Sequence, residues 1–274
     1  MLRGLMRGLM AAAAVAAFGA TPAFAGNIAL TGHDDDFHCG SAAACTQEKS
    51  LIDFAAAGST SATATKILVF DQGTEGSSDI IGFYGAGNVT VVSTAAGITD
   101  ALFDPSVYKA FVVASDQSCG GCDNTPAFEA ALATHTTAID DFFNNGGGIV
   151  GFTGGTNLAY YAFVPQVATS TPIGDTTGFV ATGAGCTAPG FVAVNGDQTH
   201  NTFAEPGTPG TSSAYCVAER LSRNNAAVTL LLAGGSIVTG VITTGTSAVP
   251  EPASLTLIGL GMVGAAWRRR RAAK

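Results

Sequence analysis

The chain has 274 residues, 47% of them hydrophobic and only 12% charged, with 36 glycines. That apolar content excludes a disordered chain, because there is ample surface to bury. Between its ends, over residues 26–249, five basic residues face nineteen acidic ones. A surface so acidic repels phosphates and anionic lipid heads, so no nucleic-acid partner is expected. Cations and neutral ligands remain, and solubility is the plainer use of the charge.

Residues 1–25 have a basic start (Arg3, Arg7), an apolar stretch over 8–20 and the small-residue site Ala23-Phe24-Ala25. This order marks a secretory signal peptide cleaved before Gly26. Its partners would be a Sec-type export machinery and signal peptidase. The competing reading, a membrane anchor, suffers from an apolar run too short to span.

A first strand is expected at 27–31, then the loop His33-Asp34-Asp35-Asp36-Phe37-His38. A helix follows at 47–57, with Leu51, Ile52, Phe54 and Ala55 on one face. Apolar β-branched runs predict strands at 66–70, 88–92, 110–114 and 148–152. Asp123/Asn124-Thr125-Pro126, with a capping residue and a first-turn proline, opens a helix that runs to residue 143 and stops at Asn144-Asn145-Gly146. Strands apolar on both faces, alternating with helices, indicate an α/β domain: a mostly parallel sheet flanked by helices over 26–244. Past Pro165 the sequence is rich in Gly, Thr and Pro, with short strands expected at 191–194, 228–232 and 236–243. Residues 245–248 read as a linker.

Six cysteines follow the cleavage site, an even number suited to an oxidising destination. Fifteen pairings are possible. Closeness in sequence favours Cys39–Cys45, Cys119–Cys122 and Cys186–Cys216.

The tail, 249–274, holds Pro250-Glu251-Pro252, an apolar segment 253–267, and then Arg268, Arg269, Arg270 and Arg271. Fifteen apolar residues form a short membrane helix, below the ~20 of a stable span, and the arginines would stay cytoplasmic. These parts resemble the PEP-CTERM sorting signal of Gram-negative bacteria, a tail also labelled the ice-binding protein C-terminal domain. The resemblance implies an exosortase partner. It also implies transient residence in the inner membrane, then release to the cell surface or extracellular matrix.

The middle resembles the class I glutamine amidotransferase-like (flavodoxin-like) fold, and within it the ThuA-like branch. The matching residues are the helix end 139–143, the turn 144–148, the strand and elbow 149–156, Thr31-Gly32-His33, and His200. The resemblance places the nucleophile at the centre of Gly151-Phe152-Thr153-Gly154-Gly155, where this chain has Thr153 instead of cysteine. A threonine hydroxyl without an adjacent base is a poor nucleophile, so a non-catalytic turn is expected. Thr153 and His200 remain the weak catalytic candidates.

Ligands of open parallel sheets bind beyond the carboxyl ends of the strands. The expected small-molecule or glycan site therefore uses His33, Asp34, Asp36, His38, Asp116, Thr153, Gly154 and His200. Asp71 and Gln117 would line the same crevice, and Glu205 and Glu219 are minor candidates. His33, Asp34, Asp36 and His38 could hold Zn²⁺ or Ca²⁺; the alternative is a solvated acidic loop. Cys119-Gly120-Gly121-Cys122 reads as a structural disulfide, with redox activity or half a zinc site as alternatives. His135 is expected to face solvent or helix packing. The functional expectation is an exported, exosortase-sorted surface or matrix protein with a binding domain. The alternative is an extracytoplasmic metal-assisted hydrolase acting on carbohydrate.

Overall fold

A computed structural model describes residues 26–169, 172–183, 185–196 and 200–243. The expected signal peptide, the linker 245–248, the apolar segment 253–267 and the sorting residues lie outside them. Among the described residues no helix is long and apolar enough to cross a membrane.

The strands are β1 (Asn27–Thr31), β2 (Lys66–Phe70), β3 (Val89–Val92), β4 (Tyr108–Val113), β5 (Gly148–Gly151), β6 (Phe179–Ala181), β7 (Cys216–Leu221) and β8 (Ala226–Ala233). They form one eight-stranded sheet in the order β3-β2-β4-β5-β1-β8-β7-β6. β1 to β5 pair in parallel, and β8, β7 and β6 continue the sheet antiparallel. The sheet is thus mixed and mostly parallel. A separate hairpin joins β9 (Ser236–Val238) to β10 (Val241–Thr243), where one strand was expected over 236–243.

Successive side chains of a strand point to opposite faces, and β1, β2, β4 and β5 are buried on both faces. Leu30, Phe70, Phe111, Val113 and Ile149 point to one side, against Phe128 and Leu132 of α3 (Pro126–Leu132) and Ile139, Phe142 and Phe143 of α4 (Thr136–Asn144). Ala29, Val69, Ala110, Val112 and Val150 point to the other, against Leu51, Ile52, Phe54 and Ala55 of α1 (Ala42–Ala57) and Ile80 of α2 (Glu75–Tyr84). Small residues let α1 sit close: a Cβ at Gly148 would lie 2.3 Å from the Ala55 carbonyl oxygen.

Within the expected cap segment it is Thr125 that caps α3, its Oγ1 accepting from Phe128 N at 3.3 Å, with Pro126 in the first turn. The helix expected to reach residue 143 is interrupted by a 3-10 turn at Ala133–His135. There Thr134 bonds back to Ala131 O and His135 Nδ1 pairs with Asp100 at 2.6 Å. Residues 191–194 are not a strand. Side chains satisfy their backbone instead: Gln47 Nε2 donates to Val192 O, and Val194 N donates to Glu219 Oε1.

Candidate functional site

The acidic loop leaves β1 through Gly32, whose carbonyl accepts from His200 N (3.0 Å) and Asn201 N (3.3 Å). A Cβ at Gly32 would stand 1.7 Å from the Asn201 carbonyl oxygen. Only glycine permits this contact, which brings His200 to the end of β1.

His33 turns inward and is fully buried. Its Nε2 lies 3.2 Å from Glu219 Oε2, and its ring meets Phe179 edge-on. Glu219 on β7 also accepts from Gln47 Nε2 (3.1 Å), Thr229 Oγ1 (2.9 Å) and Val194 N (3.0 Å). His33 and Glu219 therefore tie α1, β1, β7 and β8 together beneath the surface. Asp36 is also buried and accepts from the backbone N (2.7 Å) and hydroxyl of Ser115 after β4. Burial pushes its carboxyl up to about 7, despite the two Ser115 hydrogen bonds. Asp35 has no hydrogen-bond partner for either oxygen among the described residues. Burial first, then the charges of Glu219, Glu48, Asp34 and Asp36, raise it well above the carboxylate range. Glu48 of α1 is equally unpartnered, and burial, with Asp36 and Asp79 nearby, pushes it up to about 10. Desolvation penalises the ionised form in both, and Glu48 keeps its proton at neutral pH.

Asp34 differs. Its Oδ2 is 2.9 Å from His200 Nε2 and 3.2 Å from His38 Nε2, while its Oδ1 has no partner among the described residues. Cys122 Sγ is 3.6 Å from the same Oδ2, a contact and not a hydrogen bond because a disulfide sulfur carries no proton. Asp34, Phe37, His38, Cys119, Gly120, Gly121 and His200 line a cavity of about 230 Å³. It lies at the carboxyl ends of the parallel strands. A wider groove of about 460 Å³ beside α1 and Pro189 carries only the Lys49–Asp53 ion pair as charge.

The remaining expected residues are held elsewhere. Thr153 is fully buried, donating to Asn201 Oδ1 and accepting from Gly155 N at 3.0 Å; Gly154 N donates to the same Asn201 oxygen at 3.1 Å. His200 points to Asp34, and it is its neighbour Asn201 that meets the elbow. Asp116 accepts from Ser118 N (2.7 Å) and Asn157 Nδ2 (2.8 Å). Asn157 also reaches Glu129, which burial and Asp116 push up to about 10. Asp71 accepts from Ser77 N in the first turn of α2 at 2.8 Å, Gln117 is exposed, and Glu205 pairs with Arg220. Between β2 and β4 the strand ends are closed by Asn124, whose Nδ2 donates to Phe70 O and Ala114 O. The four expected metal ligands thus divide, His33 to Glu219, Asp36 to Ser115, and Asp34 with His38 at the cavity. The three expected disulfides are present: Cys39–Cys45, Cys119–Cys122 and Cys186–Cys216.

The other functional segment is the tail, with Pro250-Glu251-Pro252 ahead of an apolar run and four arginines. Residues 248–271 match the PEP-CTERM protein-sorting motif. The motif makes the chain an exosortase-sorted, exported protein, and the disulfides suit that route. No curated protein and no solved structure matches the chain. What is shown of the amidotransferase-like expectation is therefore the coarse architecture, a mixed, mostly parallel sheet with helices.

Proposed function

We propose that the chain is delivered to the cell surface or matrix with residues 1–25 removed, and that its α/β domain binds a small neutral molecule or a glycan without transforming it. The exosortase would act at the tail 249–274 while the short segment 253–267 holds the chain in the inner membrane. The observation that carries the binding reading is Asp34: two imidazoles converge on one oxygen of its buried carboxylate, and all three residues line the cavity. A polyol hydroxyl bonds well to imidazoles held by a carboxylate in this way, and the half-exposed Phe37 offers an apolar face beside them. The volume suits one sugar ring or a molecule of that size. Electrostatics favour neutral over anionic ligands.

The alternative, a metal-assisted hydrolase acting on carbohydrate, has less support. The Thr153 hydroxyl is buried and doubly bonded, and His33 and Asp36 serve other partners. Thermal unfolding in the presence of mono- and oligosaccharides tests the binding reading. A ligand at a hundred times its Kd stabilises by about 2.7 kcal/mol, and Asp34→Asn should abolish that shift. No shift with any neutral sugar or polyol, or a shift that survives Asp34→Asn, would remove the proposal.

A further inference from the structure

We propose that Cys119–Cys122 is a thiol–disulfide exchange centre, with Asp34 as the positioning residue beside its buried sulfur. The proposal goes beyond ligand binding and does not rest on it. The three disulfides are not alike. Cys186–Cys216 spans 30 residues and Cys39–Cys45 spans six, whereas Cys119–Cys122 spans three. Stabilisation by loop closure shrinks with loop length, so stability explains the Cys119–Cys122 bridge least. Its placement fits chemistry. Cys119 is partly exposed and lines the cavity; Cys122, 7% exposed, lies behind it against Asp34 Oδ2. The residues between them, Gly120 and Gly121, have no side chains to shield the approach.

Exchange begins when an external thiolate attacks Cys119 Sγ. A mixed disulfide forms there, the Cys119–Cys122 bond breaks, and its electron pair goes to Cys122 Sγ. Cys122 takes up a proton on its Asp34 side, where His200 and His38 also meet the carboxylate. If the attacking molecule is a dithiol, its second thiolate then attacks its own sulfur in the mixed disulfide and releases Cys119. The dithiol has lost two electrons and two protons, and the protein pair has gained both. The reverse sequence reduces an external disulfide. A carboxylate beside Cys122 disfavours a thiolate there. Neutralising Asp34 therefore shifts the equilibrium toward the reduced pair. The substrate class is a dithiol or disulfide, small or on a protein surface.

The test equilibrates the full chain, purified in detergent, with glutathione buffers of graded ratio. Alkylation and peptide mass spectrometry then read each pair separately. Cys119–Cys122 is expected to reduce alone, at glutathione ratios at least tenfold less reducing than the other pairs need, with the circular dichroism unchanged. Asp34→Asn should move its midpoint at least threefold toward the reduced form while the midpoints of the other two pairs and the circular dichroism stay unchanged, which a general loss of structure would not do. The wild-type chain should also accelerate the reduction of insulin by dithiothreitol, and Cys122→Ser should trap glutathione on Cys119. Reduction of all three pairs together on unfolding, no acceleration of insulin reduction, or uptake of Zn²⁺ by the reduced pair without exchange would each overturn the proposal. Sugar binding can fail while these results hold, and the reverse, so the two readings are separable.

Discussion

Glu48 offers a sharp test of the buried acids, because it sits fully buried on α1 with neither oxygen hydrogen-bonded among the described residues. Burial, then Asp36 and Asp79, lifts its carboxyl from 4.5 to about 10. The folded protein keeps a proton that the unfolded chain gives up. This contribution is intact below pH 4.5 and is lost as pH rises toward 10. Each pH unit within that window removes ~1.4 kcal/mol, so ~4 kcal/mol goes between pH 5 and pH 8 as an upper figure. Glu48→Gln keeps the shape and carries no titrating proton. Against it stands the cost of an amide left without partners, ~1–3 kcal/mol. Urea unfolding with disulfides intact, at pH 5, 6.5 and 8, should show the variant equal to or below wild type at pH 5 and above it at pH 8. Parallel stability curves for the two proteins across that range would refute the buried-proton argument.

Other expectations follow from single contacts. Gly32→Ala drives a methyl into the Asn201 carbonyl and should lower stability by ~2–3 kcal/mol; an unchanged Tm would contradict the close approach. Thr153→Ala leaves Gly155 N without its acceptor and should cost ~1–2 kcal/mol in urea unfolding. No cost would mean that the elbow is not held by that hydroxyl. Thr125→Ala removes the α3 cap and should cost ~1 kcal/mol by the same assay, with a neutral result counting against the cap.

The parallel half of the sheet was legible because runs such as Ile67-Leu68-Val69-Phe70 are apolar on both faces, which few other environments allow. In the antiparallel half β8 was legible, expected at 228–232, but β7 and β6 were not. β7 carries Glu219 and Arg220 in its middle, and β6 has only three residues. Helix α2 escaped notice because Glu75-Gly76-Ser77-Ser78 is a poor helix former. It is anchored by Asp71, which accepts from Ser77 N six residues on, a contact that periodicity does not encode. The loop after β1 was correctly placed at the strand ends, yet the direction each side chain takes depends on distant partners. His33 goes down because Glu219, 186 residues later, waits in β7, and Asp36 goes sideways to Ser115. Sequence reasoning passed over Glu48 and Gln47 because on α1 they read as an ordinary polar face. An acid flanked by Leu51, Ile52 and Ala44 on a helix with one covered face was the available signal. The disulfides were readable because each joins cysteines that are consecutive along the chain.

Intact-mass and terminal peptide analysis of the protein recovered from cells with and without an active exosortase addresses sorting most directly. The account predicts a released form that begins at Gly26, lacks the arginine-ended tail, carries three disulfides, and stays in the membrane fraction when the exosortase is missing. A cytosolic chain with both ends intact and six free thiols would contradict it.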